Sequence, residues 1–319
     1  MIVVDNRWTG QNGIGRYANE VISRLTVPWV PIGPKGRPSS PSDFLLKRVS
    51  IQGAKPHGIY TPGYNGFLRG VPQLITVHDL IHLRGPGSVK YKSYYDHFLK
   101  PLIKKNRRVI TVSETSKTLI ERWLDAPEVS VLNAGNGCSA EFTPMGASFV
   151  GRRPYFLYVG NFKPHKNVGT IIESMRNIKE MDLLIVSSDV ARANELVIRH
   201  NMVDRVQVVG GIDDLELARL YRGARATLQP SLIEGFGLPA LESALSGAPV
   251  IFFEGCESVS EICAGGGLAV ADATDANLWS EAMLSIRDGQ RFPSALVSGG
   301  RFSWDRVAES LSLVLAEFD

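Results

Sequence analysis

Short apolar runs alternate along the chain with stretches of helical period. In the first half IVV (2–4), LITV (74–77), VITV (109–112) and VSVL (129–132) are apolar on both faces, the mark of strands in a covered parallel sheet. Between them, YANEVISRL (17–25) and SKTLIERWL (116–124) repeat apolar positions three and four apart, as a one-sided helix does. The second half has the same rhythm: YFLYV (155–159), DLLIVSS (182–188), VQVVG (206–210), ATLQP (226–230) and PVIFF (249–253). Helical patterns fall at 167–180, 191–201, 214–223 and 238–247. Strands separated by helices predict βαβ units, and two such series predict two doubly wound α/β domains. The stretch EFTPMGASFVGRRP (141–154), rich in Pro, Gly and Ser, is the natural joint. Domains over 1–146 and 147–301 follow. A final helix over 302–319 is expected to pack back towards the first domain.

Composition narrows the class. A chain of 319 residues suits two ordinary domains, and 44% hydrophobic with 21% charged residues is a globular balance. No apolar run reaches the length of a membrane-spanning helix. The start MIVVDNRWTG lacks the basic-then-apolar plan of a secretory signal, so a cytoplasmic location is expected. The three cysteines, Cys138, Cys256 and Cys263, have no metal-binding spacing and read as reduced thiols.

The net charge of +3 conceals an asymmetry. Residues 1–150 carry 19 basic and 10 acidic side chains, a balance of +9, whereas residues 151–319 carry 16 and 22, a balance of −6. The excess concentrates in KYKSYYDHFLKPLIKKNRR (90–108). One reading is a solvated helix face. The other is peripheral contact with anionic lipid headgroups at the inner face of the membrane. Nothing else supports nucleic acid as a partner.

Open α/β sheets bind ligands beyond the carboxyl ends of their strands. Three segments there carry candidate chemistry. In SLIEGFGLPALESALSGAPVI (231–251), Gly235 and Gly237 allow close backbone approach, and Leu238-Pro239 opens a helix whose N-terminus suits a phosphate. Glu234 in the loop and Glu242 one turn into the helix can then accept hydrogen bonds from ligand hydroxyls; otherwise they cap a loop and favour a helix dipole. In TGQNGIGRYANEV (9–21), Gly13 and Gly15 enter a helix, a weak signal alone. In LITVHDLIHLR (74–84), His78-Asp79 ends a buried strand.

EGFGLPALESALSGAPVI resembles the E-x7-E signature of family 4 glycosyltransferases, retaining enzymes of the GT-B fold. YVGNFKPHKNVGTIIES (158–174) is similar to the donor-phosphate loop of that family, and GGIDDLELARLYRGARATLQPS to its nucleotide-binding stretch. ITVSETSK, NAGNGCSAEFTP and the closing FSW helix match in position and order, so the resemblance covers nearly the whole chain. It implies two Rossmann-like domains, the first on the acceptor side and the second binding a nucleotide sugar, with a cleft between them. It places Glu234 on hydroxyls of the transferred sugar and Glu242 on the ribose. It sets Gly160, Asn161, Ile212 and the backbone of Gly235, Phe236, Gly237 and Leu238 against the donor, together with Gly13 and Gly15. His78 contacts the donor hexose, and Arg16, Tyr17, His82 and Arg84 are acceptor-side candidates.

No DxD metal motif occurs, Asp272 and Asp275 being wrongly spaced, so cations must replace a divalent ion. Lys166 is the candidate. Many relatives carry arginine where this chain has Asn161, and Lys163 or a first-domain arginine then stands in. His165 packs in the loop or touches the donor. The loop form is most similar to enzymes using GDP-mannose or related sugars in surface-polysaccharide assembly, which implies a metal-independent mannosyltransferase acting on a glycan or a lipid-linked saccharide. A GT-B nucleotide-sugar epimerase and a non-catalytic nucleotide-sugar-binding protein stay open as alternatives. A dinucleotide oxidoreductase fits less well, since no full GxGxxG follows either first strand.

Overall fold

Along Tyr155–Val159, Phe156 and Tyr158 enter one apolar cluster and Tyr155 and Leu157 another. Both faces of the strand are therefore covered, as a parallel sheet between helix layers requires. The computed structural model describes residues 1–10, 13–32, 38, 56–67, 70–84, 88–286, 289–293 and 300–318. Two units divide it: Met1–Gly137 together with Phe302–Asp319, and Cys138–Arg301.

In the first unit β1 (Ile2–Val4), β2 (Trp29–Pro31), β3 (Gly58–Thr61) and β4 (Gln73–Ile75) form a parallel sheet in the order β2-β1-β3-β4. β5 (Arg108–Thr111) and β6 (Ser130–Asn133) pair in parallel beside it. Thr76 bridges Ile110, and the Val77 amide donates to the Ile110 carbonyl at 2.8 Å, so this pair continues the sheet. The chain reverses direction across the sheet between β1 and β3, which makes their carboxyl ends the expected ligand site.

The helix Trp304–Ala316 buries Trp304, Val307, Ala308, Leu311 and Leu315, one stripe at helical spacing, in the first unit. The Tyr17 ring meets Trp304 at 6.0 Å, the Ser312 hydroxyl accepts from the Thr26 amide, and Glu317 pairs with Arg108 at 2.5 Å.

In the second unit β7 (Tyr155–Val159), β8 (Asp182–Val186), β9 (Val206–Val209), β10 (Thr227–Gln229), β11 (Val250–Phe253) and β12 (Leu268–Val270) form one parallel sheet, ordered β12-β11-β10-β7-β8-β9. Counted from β7, this is the 3-2-1-4-5-6 winding of a dinucleotide-binding domain, with its switch point between β7 and β10. Asp189, Asp213 and Asp275 cap helix starts through their side chains.

The unit boundary lies at Gly137–Cys138, earlier than the expected 146–147. Ser139 donates to Asp214, and Phe142 packs edge-on against Tyr221. Buried Arg222 donates to the carbonyls of Glu141, Thr143 and Ala147, so the Pro- and Gly-rich stretch is held as part of the second unit. Loop composition marks the region, but its contacts with Asp214, Tyr221 and Arg222 decide to which side it belongs.

Candidate functional site

The loops after β7 and β10 meet at the switch point. After β7, Pro164–Lys166 forms a 3-10 turn that ends on Asn167 in the left-handed region. After β10, the Leu232 amide donates to the His165 carbonyl at 2.8 Å and ties the two loops together. This brings Lys166 Nζ to 2.5 Å from Glu234 Oε1, both side chains being nearly buried at 14% and 10% exposure. The Gln229 side-chain amide, at the end of β10, donates to the same oxygen at 3.2 Å. Glu234 Oε2 has no partner among the described residues. The Ser258 hydroxyl holds the Glu234 carbonyl at 3.0 Å. An oriented carboxylate thus keeps one oxygen for a hydroxyl donor, beside a cation able to meet a phosphate.

Glu234 leads directly into the helix Leu238–Leu245, capped by Gly237 at φ +106°. A Cβ on Gly237 would also meet Val259 at 3.0 Å, so backbone and packing both require glycine. The amides of Gly237 and Leu238 find no acceptor among the described residues, which leaves donors pointing from a helix start. Glu242 is buried in this helix, its Oε2 accepting from the Tyr221 hydroxyl at 3.0 Å.

Burial, then the nearby Glu234, raises the Tyr158 phenol well above its ordinary pKa, so its hydroxyl stays a donor, here to the Asn161 carbonyl at 2.8 Å. The same two causes push the Cys256 thiol up to about 11. Exposed Asn161 accepts from the Lys163 amide, and Ile212 lies past β9, half-buried against the second apolar cluster. The Gly160 amide donates to Val186. A separate hollow of 680 Å³ opens beside Phe162, rimmed by Asp189, Arg192, Glu195 and Arg199; neither Lys166 nor Glu234 lines it.

In the first unit His78 follows β4. Its Nε2 lies 2.8 Å from the Pro62 carbonyl, which can only accept, so that nitrogen carries the proton. Burial holds the ring below its ordinary pKa of 6.5, against the opposing pull of the Pro62 bond and Asp79. The neutral ring therefore keeps Nδ1 as an acceptor at pH 7. Gly13 and Gly15 begin the helix Gly13–Ile22, while Gln11 and Asn12 of the same motif lie outside the described residues.

Tyr17, expected on the acceptor side, is instead a core residue. It is fully buried and packs edge-on against His78 at 4.7 Å. The reason is helical phase: Tyr17, Ala18, Val21 and Ile22 form the inward stripe, whereas Arg16 is half-exposed. Arg84 is exposed, and His82 stacks on Tyr91 at 4.7 Å.

Residues 146–301 match the model of the family described as glycosyl transferases group 1. An O-antigen chain mannosyltransferase of Salmonella typhimurium is 30% identical over 256 residues, covering 77% of this chain and 69% of its own. The chain belongs to the group 1 glycosyl transferases. O-antigen chain mannosyltransferase B of Escherichia coli is 26% identical over 235 residues, 66% of this glycosyltransferase and 61% of that relative.

Among solved structures, the Anabaena protein HepE, in complex with UDP and glucose, has a TM-score of 0.67 at 14% identity, covering 99% of this chain and 98% of its own. Sucrose-phosphate synthase from Thermosynechococcus elongatus has a TM-score of 0.66 at 24% identity, covering 82% of this chain and 73% of its own. Both likenesses show the fold, which is GT-B.

Within this glycosyltransferase, sequence reasoning assigned Lys166 and Glu234 to different parts of a donor, and the structure joins them in one ion pair. It passed over Gln229, whose only signal is a polar side chain closing an apolar strand at the switch point. It also passed over Asp5, Arg7, Trp8 and Asn65, which gather past β1 and β3.

Proposed function

We propose that this glycosyltransferase moves mannose from GDP-mannose to a saccharide acceptor with retention of anomeric configuration and without a metal ion, in surface-polysaccharide assembly. The observation that carries the reading is the Lys166–Glu234 pair beside the bare amides of Gly237 and Leu238, at the switch point of a nucleotide-binding sheet. Transfer leaves negative charge on the departing diphosphate, and donors fixed in advance stabilise it without reorganisation. Lys166 Nζ and the two amides take that charge. Glu234 Oε2 receives a hexose hydroxyl and Glu242 the ribose.

A retaining hydrolase would set a carboxylate nucleophile under the anomeric carbon. Here Glu234 is held by Lys166 and Gln229, which suits binding rather than attack. The acceptor oxygen instead attacks from the face the diphosphate leaves, and the departing phosphate takes its proton. The two O-antigen mannosyltransferase relatives support mannose as the sugar and a polysaccharide as the product. The test is binding and turnover with GDP-, UDP- and dTDP-sugars, each with and without saccharide acceptors. GDP-mannose should bind best and turn over with acceptor. Neither affinity nor turnover for it would sink the proposal, and consumption without acceptor would mark an epimerase instead.

The acceptor in this reading is lipid-linked, met by peripheral binding at the inner membrane face. No described helix is long and apolar enough to cross a membrane. In the basic stretch Lys100 and Lys104 donate to the Trp123 and Asp125 carbonyls at the end of the helix Glu114–Leu124, and Arg108 pairs with Glu317. Lys90, Lys92, Lys105 and Arg107 remain exposed, with Val89 and Tyr91 among them. Vesicles containing anionic lipid should sediment the protein at low salt, and Lys90→Glu with Lys92→Glu should weaken that several-fold. Equal sedimentation with neutral vesicles would refute the electrostatic contact.

A further inference from the structure

Beyond the carboxyl ends of β1, β3 and β4, four aromatic rings form a row. Trp8 meets Tyr64 at 5.1 Å, Tyr64 meets His82 at 5.2 Å, and His82 stacks on Tyr91 at 4.7 Å. Tyr91 is 41% exposed, and Trp8, Tyr64 and His82 are half-buried. The row lies at the position where a sheet wound as β2-β1-β3-β4 takes its ligand.

Trp8 is held from below with unusual care. Its indole N–H donates to Asn65 Oδ1 at 2.7 Å, and Asn65 Nδ2 donates to Asp5 Oδ2 at 2.8 Å. Asp5 is also gripped by Arg7 through two parallel hydrogen bonds of 2.8 and 2.7 Å. Asp5 and Asn65 are buried. The indole lies over Gly63, where a Cβ would come within 2.3 Å of the ring. A buried ion pair is weak evidence of stability, because desolvation offsets its attraction. What this network achieves is to orient the Asn65 amide and so fix one half-exposed indole in advance. Such prior ordering lowers the entropy cost of binding.

The chemistry of the row selects its ligand. With its N–H already used, Trp8 offers only a ring face, which is electron-rich and attracts weakly positive C–H bonds. Burial, followed by Tyr91 and Asp79, pushes the Tyr64 phenol up to about 12, so its hydroxyl remains a donor. The Trp8–Tyr64 and Tyr64–His82 planes are inclined at 61° and 59°, so these rings do not form the parallel slot a flat base needs. A pyranose, with a C–H face and a rim of hydroxyls, fits inclined aromatic rings with polar tips. An alkyl chain has no use for those tips.

We propose that Trp8 and Tyr64, with His82 and Tyr91 at the rim, form a stacking platform for a pyranose ring of the acceptor saccharide. The identity of that ring as an acceptor rests on the transferase reading above. The test compares Trp8→Leu and Trp8→Phe with the unchanged chain, measuring KM separately for donor and for whichever methyl pyranoside of mannose, rhamnose, galactose or N-acetylglucosamine supports turnover. Trp8→Leu should raise the acceptor KM about tenfold and move the donor KM far less, and Trp8→Phe should recover most of the loss. An unchanged acceptor KM in Trp8→Leu would overturn the platform.

Should Trp8→Leu not fold, or should the unchanged chain transfer to no pyranoside, the indole N–H resonance of Trp8 decides. Titration of the unchanged protein with the same methyl pyranosides should shift it saturably, and a resonance that stays fixed refutes the platform. Absence of donor turnover alongside a saturable shift would remove the transferase reading and leave the saccharide site.

Discussion

Glu234→Ala is expected to lower glycosyl transfer by roughly 10²–10³-fold in a chain that still folds, the cost of deleting one preorganised group that acts on the reacting sugar. Glu234 occupies a loop and contributes no apolar core, so the sheet does not depend on it. Its carboxylate, however, gathers the site: Oε1 takes Lys166 and Gln229, and Oε2 has no partner among the described residues. Alanine removes the hydroxyl acceptor and releases Lys166 together. Turnover with GDP-mannose, read beside circular dichroism and the melting temperature, checks this. Activity within tenfold of the unchanged chain at an unchanged melting temperature would show that Glu234 is not in the site. Glu234→Gln separates the two roles, since an amide keeps the shape and one acceptor but loses the attraction for Lys166.

Lys166→Met is the second large effect. Methionine keeps much of the length and packing of lysine and removes the charge. Loss of the cation facing the diphosphate should cost about 10²–10³-fold in kcat/KM and weaken GDP binding. The same change leaves Glu234 nearly buried without its counter-ion, which should cost about 1–3 kcal/mol of stability. Lys166→Met combined with Glu234→Gln removes both charges, so its loss of stability should fall short of the sum of the single losses by about 1–2 kcal/mol. Urea unfolding of the four proteins gives that coupling. Additive losses would mean that the 2.5 Å contact carries no energy, and undiminished GDP binding by Lys166→Met would place the phosphates elsewhere.

Legibility followed burial. Strands covered on both faces, such as YFLYV and DLLIV, stand out because every residue but Asp182 is apolar or aromatic, and their loops carry the expected chemistry. Three strands were not legible. β2 is the half-exposed edge WVP, ending in a proline that only an edge tolerates. β3 reads GIYT, and its glycine lies under the Phe318 ring, a partner from the far end of the chain. β12 is the edge strand LAV behind three glycines.

At the site, residue types at the ends of strands could be read, but their partners could not. The 2.5 Å approach of Lys166 to Glu234 depends on the β7–β10 neighbourhood, and nothing local specifies it. The period of YANEVISRL puts Tyr17 on one stripe with Ala18 and Val21, and the structure follows that period into the core rather than the acceptor-side role the resemblance implied. Asp5, Arg7 and Asn65 are unremarkable in sequence, and only β1 lying beside β3 makes them one network.

The return of Phe302–Asp319 to the first unit bears on how the chain folds as it is made. Cys138–Arg301 is continuous, so it can close as soon as it leaves the ribosome. Most of the first unit is synthesised earlier yet lacks Trp304, Leu311 and Leu315, with the ring of Phe318 over Gly58, until residues 302–318 emerge. Its apolar groove on Tyr17 and Gly137 therefore stays open throughout synthesis of the second unit. The unit whose strands come first along the chain thus completes its core after the second unit can close, and an apolar face stays uncovered in that interval.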